Sequence, residues 1–551
     1  MTDSSRTVSS GSATPVNPPA EPAHTPQGID WPVFIISGGV LAVFAIAALV
    51  DLDAVSELIQ SAFGVSTQYF GAYWQALMLA TFVIAIVLTI GRTGRVRMGG
   101  LAAPDISTLR WMAIILCTLL AGGGVFWAAA EPIAHFTSPP PVFGADAPTG
   151  NADAAYNALA QSFMHWGFLA WAMLGSLTGI IFMYLHYEKG LPLKPRTLLY
   201  PLFGDRVMRG PIGALVDACC VLAVVAGTVG PIGFLGLQVS YGLNALFGIP
   251  DTYATQLTLL LVLTVIYTLS AVSGVTRGIQ FLSSTNVLLG GALLLFILIM
   301  GPTGFLLEAF PQGLVRYVGD FVAMSSFRGD DGWLNGWTLF FWGWFIGYGP
   351  LMAMFVARIS RGRTIRELII AELVFGSLGT WVFFAVWGGY ALDLQISGAL
   401  DIKALLDSGG IPLAVEGILQ TLPYAKLVTV AFILLCFIFL ATTLDSSAYV
   451  LASVTSRKLS GYQEPKRSFR LIWAFLIAAV GVALIQLGGL QTVQTSTIVV
   501  ALPMIPVMLI LALSMLRWLK NDFPKEELNP VLVIDDMPAF HRKPKKTNRQ
   551  A

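Results

Sequence analysis

Apolar residues along the chain fall into long runs separated by short polar stretches. The runs lie at approximately 31–51, 71–91, 109–133, 157–187, 212–237, 255–274, 282–306, 336–358, 367–392, 425–452, 470–488 and 493–517. A helix crossing a bilayer needs roughly 20 apolar residues, so the pattern predicts about twelve membrane-spanning helices. Positions 1–29 are rich in Ser, Thr and Pro and lack an apolar signal core, which predicts a disordered tail. The polar C-tail, 519–551, ends in a basic KPKK run. Two longer loops break the rhythm. Residues 307–335 hold a mixed stretch suited to an amphipathic helix lying on the membrane, and 393–423 hold a short helix around Leu400–Asp407.

Composition agrees with that reading. The 551 residues are 56% hydrophobic and 11% charged, with mean hydropathy +0.73; an average soluble domain is about a quarter charged. Net charge is +1, so no polyanion-binding signature exists and no nucleic-acid partner is expected. Basic residues concentrate in alternate loops, at Arg92, Arg95 and Arg97, at Lys189, Lys194 and Arg196, and at Arg358, Arg361, Arg363 and Arg366. The positive-inside rule then places both termini in the cytoplasm of a bacterial inner-membrane protein. The four cysteines sit inside apolar runs at no metal-ligand spacing. There is no phosphate loop, no HExxH and no paired nucleophile and base; an enzyme is not expected.

Candidate chemistry lies in the interrupted spans. The run 336–366 opens with Trp337, Phe340, Phe341, Trp342, Trp344, Phe345 and Tyr348, and Gly343, Gly347, Gly349 and Pro350 interrupt it. Loosened backbone at membrane depth is tolerated where it is buried or lines a cavity, and transporters build sites there. A tightly packed helix fits the same residues equally well. The third span carries Gly122, Gly123 and Gly124 and closes on Glu131–Pro132, which sets Glu131 near the outer interface. The fifth repeats glycine at 227, 230, 233 and 236 around Pro231. The tenth holds Thr442, Thr443, Asp445, Ser446 and Ser447. These oxygens suit a hard cation such as sodium, against the plainer reading that each hydroxyl bonds its own helix. His165 in the fourth span reads as a packed histidine, with Trp166 and Trp171 as interface anchors or cation-facing rings.

The chain resembles the betaine/carnitine/choline transporter (BCCT) family. The resemblance rests on GWTLFFWGWF (336–345), which differs from the family signature where Phe345 replaces its last tryptophan. The loop ARISRGRTIRE, the stretch Gly278–Thr303, His165–Trp166, Glu131–Pro132 and TTLDSS support it, and the similarity spans roughly 30–520. It implies an all-α, LeuT-like fold of two inverted five-helix repeats, about 109–306 and 336–518, preceded by two helices within 30–108. It also implies a homotrimer. The implied activity is secondary transport of a small zwitterion or cation. The implied aromatic substrate box is Trp166, Trp171, Leu174 and Phe345, with Trp344 and Tyr348 beside it. Leu174 stands where the family has Tyr, and Phe345 and Tyr348 stand where it has Trp. A non-methylated zwitterion or an anion is therefore expected beside a betaine-like compound. The implied sodium ligands are the carbonyls of Cys117, Leu120 and Phe439 and the hydroxyls of Thr442 and Thr443. Sodium symport is the leading expectation. Proton coupling or exchange of betaine, choline or carnitine is the alternative, and a sensor that binds without transport is the alternative from another class.

Overall fold

A computed structural model describes residues 28–273, 280–457, 459, 464–486 and separate positions between 495 and 514. The two tails, Arg277 and most of the twelfth apolar run lie outside the described residues. Within them the chain is helical, with two isolated bridges and no strand. The helices are α1 (Trp31–Val50), α2 (Leu52–Ile90), α3 (Thr108–Thr137), α4 (Ala152–Glu188), α5 (Pro211–Phe247), α6 (Tyr253–Ser273), α7 (Gln280–Met300), α8 (Thr303–Gly319), α9 (Thr338–Ile359), α10 (Ile365–Ser397), α11 (Ile402–Thr421), α12 (Ala425–Thr455) and α13 (Arg467–Gln486). Eight helices among the described residues are long and apolar enough to cross a membrane.

Helix ends follow local chemistry. Asp51 accepts the Ala54 N–H at 3.0 Å and Asn151 accepts that of Ala154 at 3.0 Å, each satisfying a donor that the first turn leaves orphaned. Thr364 and Glu367 form a reciprocal capping box at the start of α10. In the loops, α8 begins at Thr303, and α11 is two helical pieces joined at a kink where Gly410 leaves the helix (φ 70°, ψ −168°), so the short helix expected around Leu400–Asp407 is its first piece and a second runs on to Thr421.

Burial ranks the helices. The described part of α1 leaves Ile35, Val43, Ile46 and Leu49 exposed, the apolar surface a lipid-facing helix presents. In contrast, α9 is buried along its whole apolar window and lies against α2, α4, α5 and α12. Its glycines and proline do not break it. The helix is continuous from Thr338 to Ile359, and Gly349 instead brings α9 onto the carbonyl of Met173 in α4. Close approach, the packing use of small residues in membranes, is the role this position plays. Likewise α3 runs unbroken through Gly122–Gly124 and past Pro132, and α5 passes Pro231. The expected loosening falls elsewhere. In α4, Gly167 leaves the helix (φ −104°, ψ −139°), and single π-helical turns follow at Ala172–Ser176 and Tyr184–Glu188. In α10 two more appear, at Ala371–Gly376 and Phe384–Gly388.

The arginine-rich loops form a latch. Met98 N–H donates to the Arg363 carbonyl at 3.0 Å, Gly362 N–H to that of Met98 at 2.8 Å, and Ile365 N–H to that of Val96 at 3.0 Å. Arg363 stacks on Trp111 at 4.4 Å and donates to the Ile106 carbonyl and Thr108 hydroxyl. Gly362 (φ 76°) lies against Ala103, where a side chain would meet backbone as well as strained geometry.

Candidate functional site

The break at Gly167 ends the first half of α4 on His165 and Trp166, both buried. Trp166 turns into a group of rings. It meets Phe341 at 5.2 Å, Trp344 at 5.8 Å, Phe345 at 5.6 Å and Phe384 at 5.6 Å between centroids. Trp344 and Phe345 stack at 5.8 Å, and the Trp344 indole donates to the Gly227 carbonyl at 3.2 Å. The first three contacts come from α9 and Phe384 from α10, so three spans supply one aromatic cluster. Such faces attract an organic cation by their quadrupole.

Of the six predicted substrate residues, Trp166, Trp344 and Phe345 meet in this cluster. Trp171 lies apart: its ring covers Gly376, and its indole donates to the Thr380 hydroxyl at 3.2 Å. Leu174 sits beside Gly349, and Tyr348 packs on Gly227. The hydroxyls of Thr228 and Ser447 share a hydrogen bond of 2.8 Å, joining α5 to α12.

The cluster rests on a carboxylate whose partners the sequence does not show. Glu131 is 0% exposed and packed inside the bundle. Trp166 Nε1–H donates to Glu131 Oε2 at 2.7 Å, His165 Nδ1 lies 2.6 Å from Oε1, and His135 Nε2 lies 3.3 Å from Oε1. His165 Nε2 faces Gln161 Nε2 at 3.1 Å and the Thr338 hydroxyl at 3.0 Å. Trp337 covers His135 at 4.6 Å. A buried carboxylate survives only when donors surround it, and here three N–H groups do. Gln161–His165 and Glu131–His135, each spaced i, i+4 on consecutive spans, were the available signal.

The predicted sodium ligands lie on α3 and α12, which pack together. The Thr442 and Thr443 hydroxyls, both buried, donate to the Phe439 carbonyl at 2.8 and 2.9 Å. Three hard oxygens therefore gather within one turn, with the hydroxyls bonded back to their own helix. Cys117 is buried, and its thiol reaches the Ser283 carbonyl at 3.5 Å. Leu120 is on the same helix, its side chain outside the described residues. This donor set is all oxygen, which fits a hard monovalent cation once the hydroxyls turn from Phe439. A separate apolar crevice lined by Leu237, Leu259, Leu260 and Phe437 has no part in this chemistry.

The described residues form a many-spanned helical bundle with a buried aromatic and polar centre, and the chain matches a family of transporters rather than of enzymes. The family model described as BCCT, betaine/carnitine/choline family transporter, matches residues 32–524, and the chain belongs to that family. It is 49% identical over 474 residues to glycine betaine transporter 2 of Vibrio parahaemolyticus, covering 86% of this chain and 87% of that one. It is 34% identical over 498 residues to the glycine betaine transporter OpuD of Bacillus subtilis, covering 89% and 94%. A solved structure of a Na+-coupled sialic acid symporter aligns at TM-score 0.44 and 12% identity, over 76% of this chain and 81% of its own; nothing is drawn from that likeness.

Proposed function

We propose that this protein imports glycine betaine or a close trimethylammonium zwitterion by sodium symport across a bacterial inner membrane, with both termini cytoplasmic. The observation that carries the proposal is the ring cluster around Trp166. Phe341, Trp344 and Phe345 stack on one another and meet Trp166 edge to face, and Phe384 lies tilted against Trp166. They offset the missing Tyr and Trp at Leu174 and Phe345, because a cation needs several faces rather than one particular ring. Leu174 and Tyr348, beside Gly349 and Gly227, lie one to two turns along, whereas Trp171 packs the joint between α4 and α10. The names of the two relatives above support the same solute class.

Sodium would bind between α3 and α12, held by Phe439, Thr442 and Thr443 with the carbonyls of Cys117 and Leu120. It would neutralise the approach of the solute carboxylate and tie solute binding to the closeness of the two helices. Assembly as a homotrimer through α8 belongs to the same proposal; Leu307, Val315 and Val318 form an exposed apolar strip on that helix. The test is uptake of labelled glycine betaine into proteoliposomes. Accumulation driven by an inward sodium gradient, and absent with potassium, is expected. Binding without accumulation would establish the sensor reading instead, and accumulation driven equally well by a proton gradient would remove sodium coupling.

A further inference from the structure

The Glu131 cluster lies beside the aromatic site, yet solute and sodium binding as proposed leave both its histidines unused. Its hydrogen bonds define its charge state. With the Gln161 amide oriented so that its Nε2 donates to His165 Nε2, 3.1 Å away, an assignment made from the hydrogen-bond network, the ring's proton lies on Nδ1. That proton points at Glu131 Oε1, 2.6 Å away. Glu131 Oε2 accepts the Trp166 indole N–H, and an indole nitrogen cannot accept in return. Glu131 is thus an acceptor on both oxygens, the arrangement of an ionised carboxylate. Among the described residues its charge-capable partners are His135 on its own helix and His165 on α4. Trp333, Trp337 and Phe341 cover the two histidines, and Thr338 reaches His165; of the other segments packed on α3, α11 carries the buried Glu416, which accepts from Gln420, and the end of α10 carries Asp393.

Resting on the reading of the Trp166 cluster as the solute site, we propose that Glu131, with His165 and His135, is a proton-binding site that controls the hold on Trp166. One proton taken up on Oε2 puts an O–H where the Trp166 N–H points and weakens the indole bond. Protonation on Oε1 meets the His165 Nδ1–H, and the conflict is relieved when the His165 proton moves to Nε2 and the Gln161 contact breaks. In both cases the indole's partner is no longer an ionised carboxylate, so its charge-assisted bond weakens, and acid loosens the wall of the aromatic cluster and weakens solute binding. The same three residues offer nitrogen and oxygen ligands to a metal ion. Yet a 2.6 Å separation is a hydrogen bond, shorter than two ligands of one zinc ion at about 2.0–2.1 Å each would stand.

The test uses the full chain in lipid nanodiscs. Glycine betaine affinity of the native protein should fall roughly tenfold from mildly alkaline to mildly acidic buffer, the scale of one charge-assisted hydrogen bond. Glu131→Gln should bind with one affinity across that range. Trp166→Phe keeps a ring face but not the N–H, and should lose the pH dependence while Glu131 still titrates. Infrared difference spectra on acidification, without solute, should show a carboxylic acid carbonyl band that vanishes in Glu131→Gln. An unchanged band in that variant overturns the proton site whether or not glycine betaine binds; failure of glycine betaine to bind at any pH, with the band behaving as expected, overturns the solute reading and the control of binding but leaves the proton site. A pH dependence retained in Trp166→Phe removes the link to the wall. A rise in melting temperature on adding zinc that His135→Ala abolishes makes the cluster a metal site and overturns the proposal.

Discussion

Spans α4 and α10 hold each other by the same contact made twice. Trp381 of α10 fits over Gly167 of α4, and Trp171 of α4 fits over Gly376 of α10. Each tryptophan also donates across the joint, Trp381 Nε1–H to the Phe163 carbonyl at 2.9 Å and Trp171 Nε1–H to Thr380 at 3.2 Å. Each span has two π-helical turns, the sort of bulge that recurs at functional sites. The two spans stand second in each expected five-helix repeat, which makes the reciprocity intelligible. They differ at one residue's backbone. Gly376 stays helical in φ and ψ, whereas Gly167 does not. The break lets α4 end one helical piece on Trp166 and start another at Phe168, which carries Trp171. One tryptophan then serves the aromatic cluster and the other serves packing. A reciprocal joint fixes the scaffold, and one departure from it makes room for the site.

The largest effects should come from filling the joint. Gly376→Val and Gly167→Val drive a side chain into an indole ring and, at Gly167, toward the Phe163 carbonyl. Each should lower stability by about 1–3 kcal/mol or more, read as a lower melting temperature in detergent. Equal melting of both variants and the native protein would mean the joint is slack. Next, the two tryptophans should separate. Trp171→Ala should cost about 3–5 kcal/mol through the cavity it leaves. Trp166→Ala should weaken glycine betaine binding roughly tenfold or more. A Trp171→Phe variant with native stability and lost binding would return Trp171 to the solute site.

Much of the bundle was legible because hydropathy reports burial in lipid directly, and eleven of the twelve apolar runs coincide with helices. The family was legible in the run around Trp342 and Trp344. The breaks were not. Glycine and proline in α3, α5 and α9 read as either loosened backbone or close packing, and the structure takes the second: a helix packed on all sides keeps its hydrogen bonds through such residues, and neighbouring backbone takes the space a side chain would fill, as at Gly349. The actual break at Gly167 is a single glycine between aromatic residues, with no local mark. The partners of Glu131 were hidden for a related reason: only the donors brought in by α4 make its burial tolerable. Partners from other helices are invisible to a reading that takes one span at a time.

A smaller effect should separate sodium from solute. Thr443→Ala removes one hydroxyl from the group around the Phe439 carbonyl and leaves the ring cluster untouched. The hydroxyl now bonds its own helix, but the side chain is fully buried and its methyl is lost as well, so stability should fall by about 1 kcal/mol. If the hydroxyl turns to an ion, half-maximal sodium for uptake should rise roughly tenfold while uptake at saturating sodium approaches the native rate, because one of several oxygen ligands is lost and the others remain. Thr443→Ser keeps the oxygen and should restore sodium dependence. Should Thr443→Ala leave the sodium curve in place, the hydroxyl is only a helix bond. Coupling would then belong elsewhere, and the Thr228–Ser447 pair between α5 and α12 is where the next substitution belongs.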